Sequence, residues 1–181
     1  EVHAEEVALL VDTILINVTN FFRDPTSWDY IASDVIPQII ASKSQEQPIR
    51  VWSAGCSTGE EAYTAAMLFA EALGIDKFRE RVKIYASDLD EEALAHGRMA
   101  TYTSRDIAPI PPNLMEKYFE RIDQRYTFHK DLRRALIFGR HDLVQDAPIS
   151  RIDLLLCRNV LMYFNAEAQA KILSKFHFAL N

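Results

Sequence analysis

Residues 51–63, V-W-S-A-G-C-S-T-G-E-E-A-Y, set two glycines four positions apart between an apolar segment and the first turn of an amphipathic one. Glycines at such a junction permit a tight turn and let the backbone approach a ligand closely. Residues 49–54 read as a strand, and residues 60–73 as a helix closed by Gly74. Strand, glycine loop and helix in this order form a first β-loop-α unit.

The alternation continues. Residues 82–87 read as a second strand, and Asp88-Leu89-Asp90 opens a helix through Arg98. Residues 102–112 hold three prolines without a clean period and read as a loop, followed by a short helix at 113–119. Tyr126-Thr127-Phe128 and residues 135–138 read as strands around a polar turn at 129–134. The apolar run 152–157 has the pattern of a strand covered on both faces, and residues 166–180 are helical again.

Before all of these, Val7, Leu10, Val11, Ile14, Leu15 and Val18 follow helical spacing. Asp24-Pro25 reads as N-cap and N1 of a further helix that Pro37 should kink or end. The fold class expected is α/β: a doubly wound, mostly parallel sheet with helices on both faces. Ligands of such sheets bind beyond the carboxyl ends of the strands. Four strands end in polar residues there, at Ser53, Ser87-Asp88, residues 140–142 and Arg158-Asn159, which points to a shared crevice.

At 181 residues the chain suits one core, burying roughly 70% of its unfolded surface. It opens on Glu1 and breaks off after an apolar helical pattern at Asn181, so it reads as a piece of a longer protein. A net charge of −6 argues against a surface adapted to nucleic acid. No run approaches the ~18 apolar residues of a membrane span, so no membrane insertion is expected. Cys56 and Cys157 lack metal spacing and suit a cytoplasmic protein. No metal is expected either, because Asp88, Asp90, Glu91 and Glu92 lack calcium-loop spacing and the five histidines have no ligand pattern.

The glycine loop alone leaves several nucleotides open. No Lys follows its second Gly, which removes the P-loop reading. Glu60 and Glu61 occupy the helix's first turn, where a dinucleotide would set its pyrophosphate. They suit the helix dipole and repel phosphate. A phosphate-free, cationic nucleoside fits better, and S-adenosylmethionine has that chemistry. Asp88, ending the next strand, is placed to accept hydrogen bonds from both ribose hydroxyls; its duller role is to cap the helix near Asp90.

Four segments, I-N-V-T-N-F-F-R-D at 16–24, residues 52–63, A-S-D-L-D at 86–90 and C-R-N-V-L-M-Y-F at 157–164, occur in this order. Through them the chain resembles the chemotaxis receptor glutamate methyltransferases, the CheR family. The resemblance implies a Rossmann-like methyltransferase fold with a small β-subdomain, inserted at about 118–139 of a cofactor domain spanning 42–181. Residues 1–41 would be an N-terminal helical segment, the remnant of a helical domain with its linker helix. Cofactor contacts would fall at Asn17, Thr19, Arg23, Ala54, Glu60, Asp88, Asp142, Leu143, Cys157, Arg158 and Asn159, with Arg23 and Tyr163 close to the methyl-transfer centre.

The activity implied is methyl transfer from S-adenosylmethionine to glutamates of chemoreceptor cytoplasmic domains, leaving S-adenosylhomocysteine. A glutamate carboxylate, with a pKa of ~4.3, needs no general base at neutral pH. Two other readings stay open: a non-catalytic S-adenosylmethionine-binding module of a larger signalling protein, and a methyltransferase acting on a small molecule or on nitrogen. Some family members grip a receptor-tail pentapeptide with a glycine-bearing loop of the β-subdomain. Ile122-Asp123-Gln124 stands there, which predicts pentapeptide independence.

Overall fold

The computed structural model describes residues 19–180. The helix expected over 7–18, and Asn17 with it, lie outside the described residues. The chain opens with α1 (Pro25–Tyr30), a π-helical turn (Ile31–Val35) and α2 (Ile36–Ala41) in one continuous run. Pro37 has no N–H to give, and Ile36 N–H donates to Ile31 O, five residues back, so the helix absorbs the proline by a widened turn and continues.

Then come β1 (Ile49–Ala54), α3 (Glu60–Leu73), α4 (Ile75–Arg81), β2 (Val82–Asp88) and α5 (Glu91–Met99). Next are β3 (Thr101–Thr103), α6 (Pro112–Tyr118), β4 (Phe119–Ile122), β5 (Arg125–Phe128), α7 (Lys130–Arg133) and β6 (Leu136–Arg140). The last elements are β7 (Leu154–Leu156), a 3-10 turn (Leu161–Tyr163) and α8 (Ala166–Ala179).

The main sheet is parallel throughout, in the order β6-β2-β1-β7. β1 lies inside it and is covered on both faces. Ile49 and Val51 join Val82 and Ile84 in a core closed by Ala62, Ala66, Phe69 and Ala70 of α3. Trp52 and Ala54 point to the other face, onto Ile172, Phe176 and Ala179 of α8. Period-2 alternation thus feeds two cores, and the sheet is doubly wound. The alanines of α3 let that helix approach the sheet closely.

A second, antiparallel sheet has the order β3-β5-β4. The proline-rich stretch expected as a loop begins with a strand, since Tyr102 pairs with Tyr126. The strands expected around one polar turn belong to different sheets: β5 to the small one and β6 beside β2 in the large one. Short α7 makes the switch. The Tyr102 hydroxyl donates to Thr58 O at 2.8 Å, bracing the small sheet against the glycine loop. Residues 136–140, at the end of the expected β-subdomain, therefore serve the cofactor sheet.

Trp52 is 1% exposed; its ring meets Phe176 and His141 edge-on, and its Nε1–H donates to Ser87 Oγ at 2.8 Å. Trp52→Phe keeps a ring but strips buried Ser87 of its donor, so stability should fall by about 1–3 kcal/mol in urea denaturation. An unchanged midpoint would show that ring packing alone carries this contact.

Candidate cofactor site

Beyond the carboxyl ends of β1, β2, β6 and β7 lies a cavity of about 560 Å³, within the range of small-molecule sites. The glycine loop forms its floor. Gly55 N and Cys56 N both donate to Ser87 O, at 2.8 and 2.9 Å, which pins the loop to the end of β2. Gly55 has φ +76°, and a Cβ there would stand 2.2 Å from Val160 Cγ2, so no other residue fits. Gly59 has φ +95° and starts α3 against the rings of Phe138 and Tyr63.

Asp88 reaches the cavity at the end of β2. Its Oδ2 accepts from Ser57 N at 2.7 Å, and Oδ1 from Leu89 N and Asp90 N at 2.7 and 3.1 Å. It does not cap α5: Asp90 does, accepting from Glu92 N and Ala93 N. After β6, Asp142 and Leu143 form another wall. The Asp142 carboxylate accepts from Val144 N and Gln145 N, folding the loop back, and Lys175 Nζ from α8 ties down Val144 O at 2.8 Å. His141, unassigned from sequence, also lines the cavity and holds Ala147 O through Nε2.

The loop after β7 supplies Arg158, Asn159 and half-exposed Tyr163. Asn159 takes a left-handed conformation, φ 58°. Opposite stands the segment carrying Thr19 and Arg23. Phe21 is fully buried, edge-on to Tyr102 and Phe119, and Phe22 N donates to Thr64 Oγ1 at 3.3 Å. Left-handed Phe22 and Asp24 flank Arg23, and this double twist turns Arg23 to the cavity while Phe21 enters the core. Asp24 makes no N-cap bond. Its carboxylate pairs instead with Arg158, whose guanidinium lies 5.5 Å from the Trp28 ring.

Eight residues expected from sequence thus share this cavity wall: Thr19, Arg23, Asp88, Asp142, Leu143, Arg158, Asn159 and Tyr163. Ala54, Glu60 and Cys157 are not in the wall. Ala54 is fully buried at the end of β1. Glu60 turns its carboxylate to Thr58 Oγ1, at 2.7 and 2.9 Å, and is 6% exposed. The Cys157 thiol is pushed up to about 12 by burial and by the charge of Glu61, which leaves it an unreactive packing group.

Of the two glutamates that open α3, the one in the wall is Glu61. One helical step, about 100°, separates it from Glu60, and its Oε1 accepts from Ser53 Oγ at 2.7 Å. The signal available in sequence was that pairing of a strand-end serine with the second acid of the following helix. Burial raises Glu61 to about 7, against the Ser53 hydrogen bond and the charges of Arg158 and Arg23. The half-buried Glu61 carboxylate, those of Asp88 and Asp142 and two guanidiniums, with Leu143 and Val144 as apolar wall, suit a zwitterionic ligand bearing a sugar and a flat ring. They do not suit a polyphosphate.

The CheR methyltransferase SAM-binding domain family matches residues 17–181. The chain belongs to that family. S-adenosylmethionine is accordingly its cofactor, and the donor set fits it. An uncharacterized 104.1 kDa protein of Rhodobacter capsulatus is 38% identical over 175 residues, covering 97% of this chain and 18% of that protein. The chemotaxis protein methyltransferase of Listeria innocua is 34% identical over 178 residues, covering 96% of this chain and 66% of its own. The chain therefore spans less than two thirds of either relative. Among solved structures, the DszA carbon methyltransferase aligns with a TM-score of 0.51 at 14% identity, over 84% of this chain and 33% of that one, a likeness of fold alone.

A raised folded-state pKa makes the protonated Glu61 the stabilising form. Its contribution is complete below the ordinary carboxylate value of 4.5 and is lost as pH rises through about 7. Glu61→Gln cannot ionise and still offers Ser53 an acceptor. Its melting temperature should therefore match wild type near pH 4.5 and exceed it increasingly toward pH 8. A pH-independent difference would contradict the buried-acid account.

Proposed function

We propose that this domain carries a methyl group from S-adenosylmethionine to glutamate carboxylates of chemoreceptor cytoplasmic domains. The products are glutamyl methyl esters and S-adenosylhomocysteine, and the reaction belongs in the cytoplasm. Family membership supports the methyl transfer. The observation that carries the acceptor is Arg23, a cation at the same cavity as Glu61, Asp88 and Arg158. It suits an incoming carboxylate. Among the described residues no helix is long and apolar enough to cross a membrane.

S-adenosylmethionine supplies an activated methyl group on a sulfonium, so the chain's residues have alignment and water exclusion left to do. Arg23 steers and orients the acceptor carboxylate by a charge-assisted hydrogen bond. Tyr163, half exposed across the opening, presents ring and hydroxyl to the acceptor and to positive charge. Glu61 and Arg158 would hold the ammonium and carboxylate of the cofactor's amino-acid end, and Leu143 would offer its adenine an apolar wall. Thr19, Asp142 and Asn159 complete the cofactor's surroundings, while Ala54, Glu60 and Cys157 act from behind the wall on its shape.

The ester is the discriminating product. Label transferred from methyl-labelled S-adenosylmethionine to receptor cytoplasmic fragments should leave as methanol in mild base; base-stable label would mean nitrogen or carbon methylation. Arg23→Ala should lower turnover at least about tenfold while changing S-adenosylhomocysteine affinity by less than about threefold. Unchanged turnover would remove Arg23 from the acceptor site.

Receptor docking is, on this reading, independent of a tail pentapeptide. Ile122 pairs directly with Arg125, leaving Asp123-Gln124 as a two-residue hairpin turn with Asp123 at φ 54°. So tight a turn offers no loop to clasp a peptide. Titration of the chain with a receptor-tail pentapeptide should show no micromolar binding, and a micromolar isotherm would overturn this.

A further inference from the structure

We infer that the Ser57 hydroxyl is a second recognition group for the ribose diol of the bound nucleoside, acting beside Asp88. The inference rests on the cofactor reading above and starts from hydrogen-bond capacity. A carboxylate offers about four lone-pair sites. Three on Asp88 are taken, by Leu89 N and Asp90 N on Oδ1 and by Ser57 N on Oδ2. One remains, on Oδ2. A ribose brings two hydroxyl donors, so the expectation that Asp88 receives both exceeds what it has left.

The hydroxyls around the loop are otherwise committed. Ser53 Oγ donates to Glu61, Thr58 Oγ1 to Glu60, and Ser87 Oγ accepts from Trp52. Ser57 Oγ has no hydrogen-bond partner among the described residues, although Ser57 is only 8% exposed. A buried hydroxyl left unpaired costs free energy, so such a group invites a function. Ser57 lines the cavity together with Asp88. Its own N–H lies 2.7 Å from Asp88 Oδ2, and three covalent bonds separate that nitrogen from Oγ, so hydroxyl and carboxylate are neighbours.

In its present rotamer Oγ is shut off from solvent. One staggered step about Cα–Cβ redirects it without moving the backbone. The left-handed conformation of Ser57, φ 48°, holds that backbone in place and is itself fixed by the bond to Asp88. A loop that adopts this strained conformation at a serine, between glycines at 55 and 59, keeps a side chain where backbone freedom alone favours Gly. Asp88 then accepts one ribose hydroxyl and Ser57 the other.

Titration calorimetry with S-adenosylhomocysteine and its 2′-deoxy and 3′-deoxy analogues tests this on the wild-type chain, Ser57→Ala and Ser57→Gly. The glycine variant removes the hydroxyl without adding strain. Both variants should bind S-adenosylhomocysteine roughly five- to tenfold more weakly. Against the one analogue that lacks the hydroxyl Ser57 serves, that penalty should shrink below about twofold. Unchanged affinity in both variants, or an equal penalty against both analogues, overturns the inference while leaving the cofactor reading intact. A wild-type chain that binds no S-adenosylhomocysteine overturns both.

Discussion

The Ser87 carbonyl holds the site together. It accepts from Gly55 N and Cys56 N, so the loop leaving β1 is tied to the end of β2 before either chain turns away. The pinned loop leaves Gly59 to start α3 with its first turn facing the cavity, and it sets Ser57 N against Asp88. Trp52, which donates to Ser87 Oγ, carries the same connection through the sheet to α8. The cavity floor, Asp88 and both cores therefore share one junction. Displacing it by a methyl group at Gly55 would collide with Val160, on the loop that supplies Arg158.

Electrostatics then select what the junction can hold. A helix N-terminus favours anions, and the glycine loops of P-loop and dinucleotide-binding folds use it for phosphate. Here the chain fills that position itself, with Glu60 folded onto Thr58 and Glu61 turned into the cavity. Arg158 faces Glu61 while being held by Asp24, so the cavity's opposed charges are each anchored to the scaffold. The same Asp24 belongs to the twisted segment that delivers Arg23, which couples the Arg158 side of the cavity to the Arg23 side.

Much of this was legible in sequence where a physical signal was strong. The apolar runs of β1 and β2, and the Gly74 stop of α3, have clear periodicity and punctuation, and the four polar strand ends do converge. β3 and β4 were not legible. They have three and four residues, and they exist because β5 pairs with both, a non-local gain no local pattern carries. Asp24 before Pro25 has the local chemistry of an N-cap, but an arginine 134 residues away takes its carboxylate. The choice between Glu60 and Glu61 turned on one helical step, set by where Gly59 begins the helix. Ser57 carried no pattern at all; only the occupied lone pairs of Asp88 make it stand out.

Through its own acidic helix start this loop selects a phosphate-free, cationic nucleoside. Equilibrium titration of the chain with S-adenosylhomocysteine, NAD and ATP in one buffer tests it directly. Saturable binding of S-adenosylhomocysteine and at least about a hundredfold weaker binding of both phosphate-bearing ligands are expected. Comparable affinity for NAD or ATP would contradict it.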